Sequence, residues 1–354
     1  MTEMKSKVYR ISELIALEVD DRLPHFARRF LAGKGTPAAA GEPHPFSLTV
    51  RQGFSGMAPP KGWLSFDSCR IAENVLEWRA QYKFSRWKYR LYRMNANAYQ
   101  LEVDGDFCSQ WVWPFRTVEM ILRVLRWRSG MLQFHSAGFY NGRKAVLMLA
   151  SSGTGKTLTT LHYLCGGGKV YHDDTVTWKD GNLIPTLNQI SYWENRYRNT
   201  PEVLPKTMPS LSAKLKRQQR ISCIINKLSH GYLSFGVPLP VAEYWPDAQP
   251  PPAPLGGIIA LRRGPVFRRV ENMGSDVFLN RVLGDMEFQC LPLLRVAELE
   301  KLTGFSILGA EEFLRVHRSF VRDRLGQLPF AVFEVPPRYS SELFESLKQE
   351  ILSW

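Results

Sequence analysis

Cysteine is scarce in this chain. Cys69, Cys108, Cys165, Cys223 and Cys290 are scattered over 354 residues with no C-x-x-C pair. That spacing offers neither a disulfide framework nor a zinc site, and it fits reduced thiols in a cytoplasm. Long apolar runs are missing as well. No stretch approaches the roughly 18 uncharged apolar residues that a membrane helix needs. The opening MTEMKSKVYRISELIALEVD lacks the apolar core of a secretory leader. A cytoplasmic protein without a membrane partner is therefore expected. Acidic charge is in deficit, with 46 Lys and Arg against 33 Asp and Glu and a formal net charge of +13. The excess is spread along the whole chain and forms no tail. It suits an acidic or phosphorylated ligand. No nucleic-acid motif accompanies it, so nucleic acid is not the expected partner.

What is present divides the chain in two, and no internal repeat is found. Residues 9–31 carry helical spacing interrupted at Pro24, and residues 35–62, rich in Gly, Pro and Ala, read as loop. In KFSRWKYRLYR, Trp87, Tyr89 and Leu91 alternate with Arg86, Lys88 and Arg90, as in a half-buried strand. AYQLEV (98–103) reads as its partner. The basic row is the solvated face of a sheet or a receiver for an acidic partner. Residues 115–128 spell an amphipathic helix with Val118, Ile121, Leu122 and Leu125 on one side, closed by Ser129-Gly130. The expected division is a smaller α+β domain over 1–114 and an α/β domain over 115–354.

The second part reads strand, turn, strand, loop, helix, strand. MLQFHSAGF is one strand, Asn141-Gly142 signals a turn, and KAVLMLA is a buried strand. A helix runs from about Lys156 to Cys165 and stops at Gly166-Gly167-Gly168. Further on come a basic amphipathic helix over 210–228, an exposed proline-rich loop (PDAQPPPAP), a strand (GGIIALRR), and helices over 310–325 and 340–353.

Between the buried strand and the first of these helices stands Ala150-Ser151-Ser152-Gly153-Thr154-Gly155-Lys156-Thr157. It matches the phosphate loop G-x-x-x-x-G-K-[ST] except for Ala in the first glycine position. Such a loop turns its backbone N–H groups inward, and the positive end of the following helix adds to them. Ser152, Gly153, Thr154, Gly155, Lys156, Thr157 and Leu158 are the expected nucleotide-binding residues. Lys156 supplies a point charge, and Thr157 a hydroxyl for Mg²⁺. One helix later comes His172-Asp173-Asp174 at a strand end. Ligands of open α/β sheets sit beyond the carboxyl ends of the strands. One carboxylate there can hold the metal, and the other can take a proton from an attacking hydroxyl. His135 lies on the strand before the loop strand.

The segment FHSAGFYNGRKAVLMLASSGTGKTLTTLHYLCGGGKVYHDDTV resembles the HPr kinase/phosphorylase family, and more closely the broad set of bacterial proteins related to it. In its core it is also similar to ATP-dependent phosphoenolpyruvate carboxykinases. The resemblance is convincing over residues 131–178. It implies an α/β P-loop domain preceded by a variable N-terminal domain. It implies phosphoryl transfer from ATP, with Mg²⁺, to a serine or other hydroxyl of a protein, peptide or small molecule. Asp173 would be the base, His135 would tune it, and Asp174 would serve the metal. Related kinases commonly assemble, which admits a homo-oligomer. The glycine-rich G-L-G-I-I-N-V signature is absent. GNLIPTLNQISYWENRYRNTPEVLP stands there instead, which argues against HPr as the acceptor. Arg196, Arg198, Arg262 or Arg263 could neutralise the transferring group. ATP, GTP and pyrophosphate all fit such a loop. A regulatory nucleotide-binding module and a plain NTPase are the competing functions.

Overall fold

The computed structural model describes residues 6–39, 42–54, 62–66, 68–83, 85–150, 153–192, 209–228, 237–271 and 273–354. It is an α/β structure with mixed sheets that separates into two compact units. One comprises the chain up to Leu132 together with Cys290–Arg318, and the other Gln133–Gln289 with Ser319–Trp354. Among the described residues, no helix is long and apolar enough to cross a membrane.

The first unit is built on a nine-stranded sheet. Ser85–Arg93 pairs antiparallel with Ala98–Gly105, and Trp87, Tyr89 and Leu91 are buried. This is the alternation read from the sequence. Two of the basic residues beside them are already matched inside the unit. Buried Glu77, on the adjoining strand, takes Arg90 at 2.6 Å and Lys88 at 2.9 Å. The expected helical spacing over 9–31 is corrected. Strands Ser6–Ser12 and Ile15–Asp20 form a hairpin there, and the helix occupies only His25–Ala32, with Pro24 at its N-cap. Ile15, Ala16, Leu17 and Val19 are all buried, and a strand covered on both faces loses its period of two. The presumed loop over 35–62 contains strand Phe46–Gln52, parallel to both its neighbours, with Leu48 and Val50 inside. The helix expected over 115–128 is Glu119–Arg128, entered through a π turn at Pro114–Val118 and closed by Gly130 at φ +82°. Residues near 306–308 return to this unit. Their carbonyls accept from Tyr99 Oη, Arg93 and Arg128.

The second unit carries the loop and helix in the order read from the sequence. Strand Ala145–Ala150 leads into the loop, helix Lys156–Cys165 follows, and strand Lys169–His172 comes next. The expected single strand over MLQFHSAGF is corrected to two, Met131–Phe134 and Ala137–Tyr140, because the chain bends at His135-Ser136. Ala137–Tyr140 runs antiparallel between Ala145–Ala150 and Lys169–His172, so those two share a direction. Ala253–Arg263 lies parallel on the other side of Ala145–Ala150, and Phe330–Val335 lies parallel beyond it. The proline-rich segment 246–254 is not wholly exposed. Ala248 is buried, its carbonyl accepts from Val170 N at 2.8 Å, and the Ala253–Arg263 strand has begun by its end. The remaining helices include Ala213–Leu228, Ser275–Gln289 and Ser341–Ser353, the last capped by the Ser340 hydroxyl. Leu158, Leu161, Leu215, Phe344 and Leu347 share one core against the sheet strands.

Gly138 sits opposite both Leu147 and His172. A Cβ there would lie 2.7 Å from Val176 Cγ1 and 3.2 Å from Tyr171 Cβ. Gly138→Ala should destabilise the unit by about 1–3 kcal/mol, the usual range for overpacking. Urea unfolding measures this, and an unchanged midpoint would show that the strands yield without cost.

Candidate active site

Three chain ends meet at one edge of the second sheet. Ala150 ends its strand there, His172 ends the strand of the same direction, and His135-Ser136 sits just before the antiparallel strand that separates them. The site is made of what these ends carry.

The loop conformation depends on two glycines. Gly153 has φ +80° and Gly155 φ +110°, the left-handed region that side chains with a Cβ avoid. Gly155 is the N-cap of Lys156–Cys165, and the free N–H groups of that first helical turn face the loop. Thr154 is 1% exposed. Leu158 puts its side chain into the core, which leaves only its backbone to face a ligand. Ser152 lies outside the described residues, as do Arg196 and Arg198.

Lys156 is held beneath the loop. It is 7% exposed, donates to the Ala150 carbonyl, and lies 3.0 Å from His135 Nε2. An ammonium has only donors, so the imidazole nitrogen facing it is the acceptor. The ring proton then belongs on Nδ1, which stands 3.4 Å from Asp174 Oδ1. Asp174, His135 and Lys156 thus form a chain from carboxylate to ammonium. Burial pushes the Lys156 ammonium down from its usual pKa, and the charges of Asp174, Asp173 and Asp285 oppose that shift.

The two aspartates occupy different surroundings. Asp173 is 5% exposed, whereas the Asp174 side chain is 60% exposed. His172 makes that division, because its Nδ1 accepts from Asp174 N at 3.0 Å and Thr175 N at 2.9 Å and so fixes the turn. Burial, helped by the Asp174 charge, pushes the Asp173 carboxyl up to about 7. A hydrogen bond from the Thr157 hydroxyl and the Lys156 charge act in the opposite sense. Thr157 therefore meets Asp173, and His135 meets Asp174.

Arg263 and Arg262 separate at once. Arg262 is tied to Glu334 at 2.7 Å, which also receives Arg268 at 2.5 Å. Arg263 reaches the loop. Its guanidinium and the Tyr339 hydroxyl both donate to the Gly153 carbonyl, and Arg263 also bonds Pro336 O and Tyr339 Oη at 2.9 Å each. The guanidinium carbon lies 5.3 Å from the Tyr339 ring centre. The sequence reading gave no role to Tyr339, His172 or Asp285. For His172 a signal existed in its place at the strand end beside two acids. Asp285 comes from helix Ser275–Gln289 and Tyr339 from the segment just before Ser341–Ser353, and neither leaves a local trace near the loop.

No protein-family model matches the chain, and no curated protein does. Among solved structures, the HPr(Ser) kinase/phosphatase from Coxiella burnetii matches at 14% identity with a TM-score of 0.22, over 39% of this chain and 76% of that one. A likeness of that size carries no argument, so the site is read from its own geometry.

The Asp173 shift has a sign in stability. A carboxyl whose folded pKa lies above its unfolded value binds more protons in the native state, so stability falls as pH rises between about 4 and 7. Each pK unit is worth about 1.4 kcal/mol. Asp173→Asn removes the charge and keeps an acceptor for Thr157. It should raise the melting temperature at pH 8 and leave it nearly unchanged at pH 4. Equal effects at both values would show that Asp173 carries no such burden.

Proposed function

We propose that this chain is a phosphotransferase that moves the terminal phosphoryl group of a nucleoside triphosphate, ATP in the first instance, to a hydroxyl. The observation that carries the reading is the convergence of buried Asp173 with Thr157 and Lys156 at the strand edge that bears the glycine loop. Burial pushes this carboxyl up to about 7, which suits it to accept a hydroxyl proton.

The residues divide the work by their chemistry. Backbone N–H groups of the glycine loop and of the first helical turn bind the phosphates, and Lys156 adds a charge beneath them. Mg²⁺ usually keeps water and substrate phosphate among its ligands and takes only one or two carboxylates from the protein. Thr157 with Asp174 fits that need, and the described residues hold no group of three metal-ligating acids, histidines or cysteines that would make a self-sufficient cage. When bound, the cation neutralises phosphate charge. Asp173 takes the proton of the acceptor hydroxyl as its oxygen forms a bond to phosphorus. The bond from phosphorus to the bridging oxygen breaks, and the nucleoside diphosphate leaves with that electron pair. His135 keeps Lys156 and Asp174 in place by bonding both. Arg263 and Tyr339 hold the Gly153 carbonyl away from the phosphate side, where it would repel the ligand.

Two substitutions separate binding from transfer. Lys156→Ala should weaken nucleotide binding by about tenfold or more, close to 1.4 kcal/mol, in a fluorescent-nucleotide titration. Asp173→Asn should bind nearly as wild type and lose about a hundredfold or more in acceptor-dependent ADP release. ADP release that needs no acceptor would replace this reading with a plain NTPase. The pH profile is a second check. The rising limb of kcat/KM should fall near pH 7, and Asp174→Asn should move it to lower pH, because the Asp174 charge helps hold the Asp173 proton. A limb unmoved by that change would remove Asp173 as the base.

A further inference from the structure

Helix Ala213–Leu228 carries two sides of unlike chemistry. Inward, Leu215, Gln219 and Ser222 are buried, and Leu215 joins the core that holds Leu158 and Leu161 of the loop helix. The outward ridge is basic, with Arg217, Arg220 and Lys227 exposed along it and Lys214 and Lys216 at its start. Residues 211–228 contain no Asp or Glu. None of these five cations forms an ion pair with any described residue. In this they differ from Lys88 and Arg90, which Glu77 already satisfies. Amid the ridge stand two bare aliphatic side chains, Ile221 at 48% exposure and Ile224 at 57%. They lie three positions apart and so face the same way.

Each feature narrows the partner. Five cations on one short helix, none paired with a described residue, favour a partner rich in carboxylates or phosphates. Two isoleucines at the centre favour one that brings an apolar side chain to the same place. A nucleic-acid backbone offers phosphates and sugars but no apolar counterpart there. A membrane surface needs a broad apolar face, and the outward side of this helix offers only two isoleucines among its charges. An acidic protein segment with an apolar residue between its carboxylates meets both requirements.

We infer that the outward face of helix Ala213–Leu228 docks an acidic segment of the protein that bears the acceptor hydroxyl. Arg217, Arg220 and Lys227 pair its carboxylates, and Ile221 and Ile224 cover its apolar residue. The inference rests on the phosphoryl-transfer reading and names its acceptor class as a protein. It also accounts for a basic ridge on the unit that carries the loop.

The test uses the full chain and a fluorescein-labelled peptide of alternating Glu-Asp and Leu-Leu pairs with one serine, read by anisotropy at physiological salt. Wild type should bind it. Arg217→Glu with Arg220→Glu should weaken binding by about tenfold or more, and Ile221→Ser with Ile224→Ser by about threefold or more. The same double reversal at the exposed turn, Arg143→Glu with Lys144→Glu, should leave binding within about twofold. Circular dichroism checks that each variant is folded. The helix substitutions should not alter the binding of single-stranded oligo(dT) or of phosphatidylserine vesicles more than that of the peptide. Lys156→Ala should bind the peptide as wild type does, so a failure of nucleotide chemistry is not mistaken for a failure of docking. No peptide binding, equal loss in the turn control, no effect of the isoleucine changes, or a larger effect on oligo(dT) or vesicles would each overturn the inference.

Discussion

The arrangement of this site depends on one strand running against its neighbours. Ala137–Tyr140 lies antiparallel between two strands of common direction, so its beginning falls at the edge where they end. That brings His135 beside Lys156 and Asp174, although the chain separates it from Asp174 by a hairpin, a helix and one further strand. With a parallel strand in that position, the histidine would stand at the opposite edge. The bend at His135-Ser136 serves the same end, since it frees the imidazole from the sheet ladder and lets it bond on both sides.

Two opposed desolvation effects follow from this convergence. Burial drives the lysine toward its neutral form and the aspartate toward its protonated form. Each group opposes the shift of the other, yet neither is brought back to its value in water. Asp174 contributes to both, because its charge reaches Lys156 and raises Asp173. Its exposure leaves it in contact with solvent. The unequal burial of adjacent aspartates goes with the turn that His172 fixes through Asp174 N and Thr175 N.

How much of this was legible in the sequence depends on how local the cause is. The helix from Lys156 to Cys165, its glycine stop and the strand that follows are written in adjacent residues, and the chain adopts them there. The loop glycines are legible for the same reason, because only glycine takes the angles seen at 153 and 155 without strain. The hairpin over 6–20 was hidden because IALEVD is buried on both faces, and an apolar run of that length reads equally as helix or strand. Strand Phe46–Gln52 was masked by the Gly and Pro on either side of it. The return of residues near 306–308 to the first unit, and the approach of Tyr339 to the loop, are set by packing between distant segments. Nothing within a window of neighbouring residues reports them.

The two arginines at the end of Ala253–Arg263 show how a local rule resolves what composition leaves open. As letters, Arg262 and Arg263 are equal candidates to meet a phosphate. On a strand, successive side chains leave opposite faces of the sheet. Glu334 stands beside Arg262 in the parallel register and draws it onto one face, where Arg268 joins the same carboxylate. Arg263 must then take the other face, and that face looks onto the Gly153 carbonyl and the Tyr339 ring. The acid on the neighbouring strand thus decides which arginine serves the loop, even though it touches neither the loop nor Arg263's partners. Arg262 is held in a structural ion pair, so its charge is already spoken for. The guanidinium at the loop edge is that of Arg263, and in this arrangement it ties the Gly153 carbonyl to Pro336 and Tyr339.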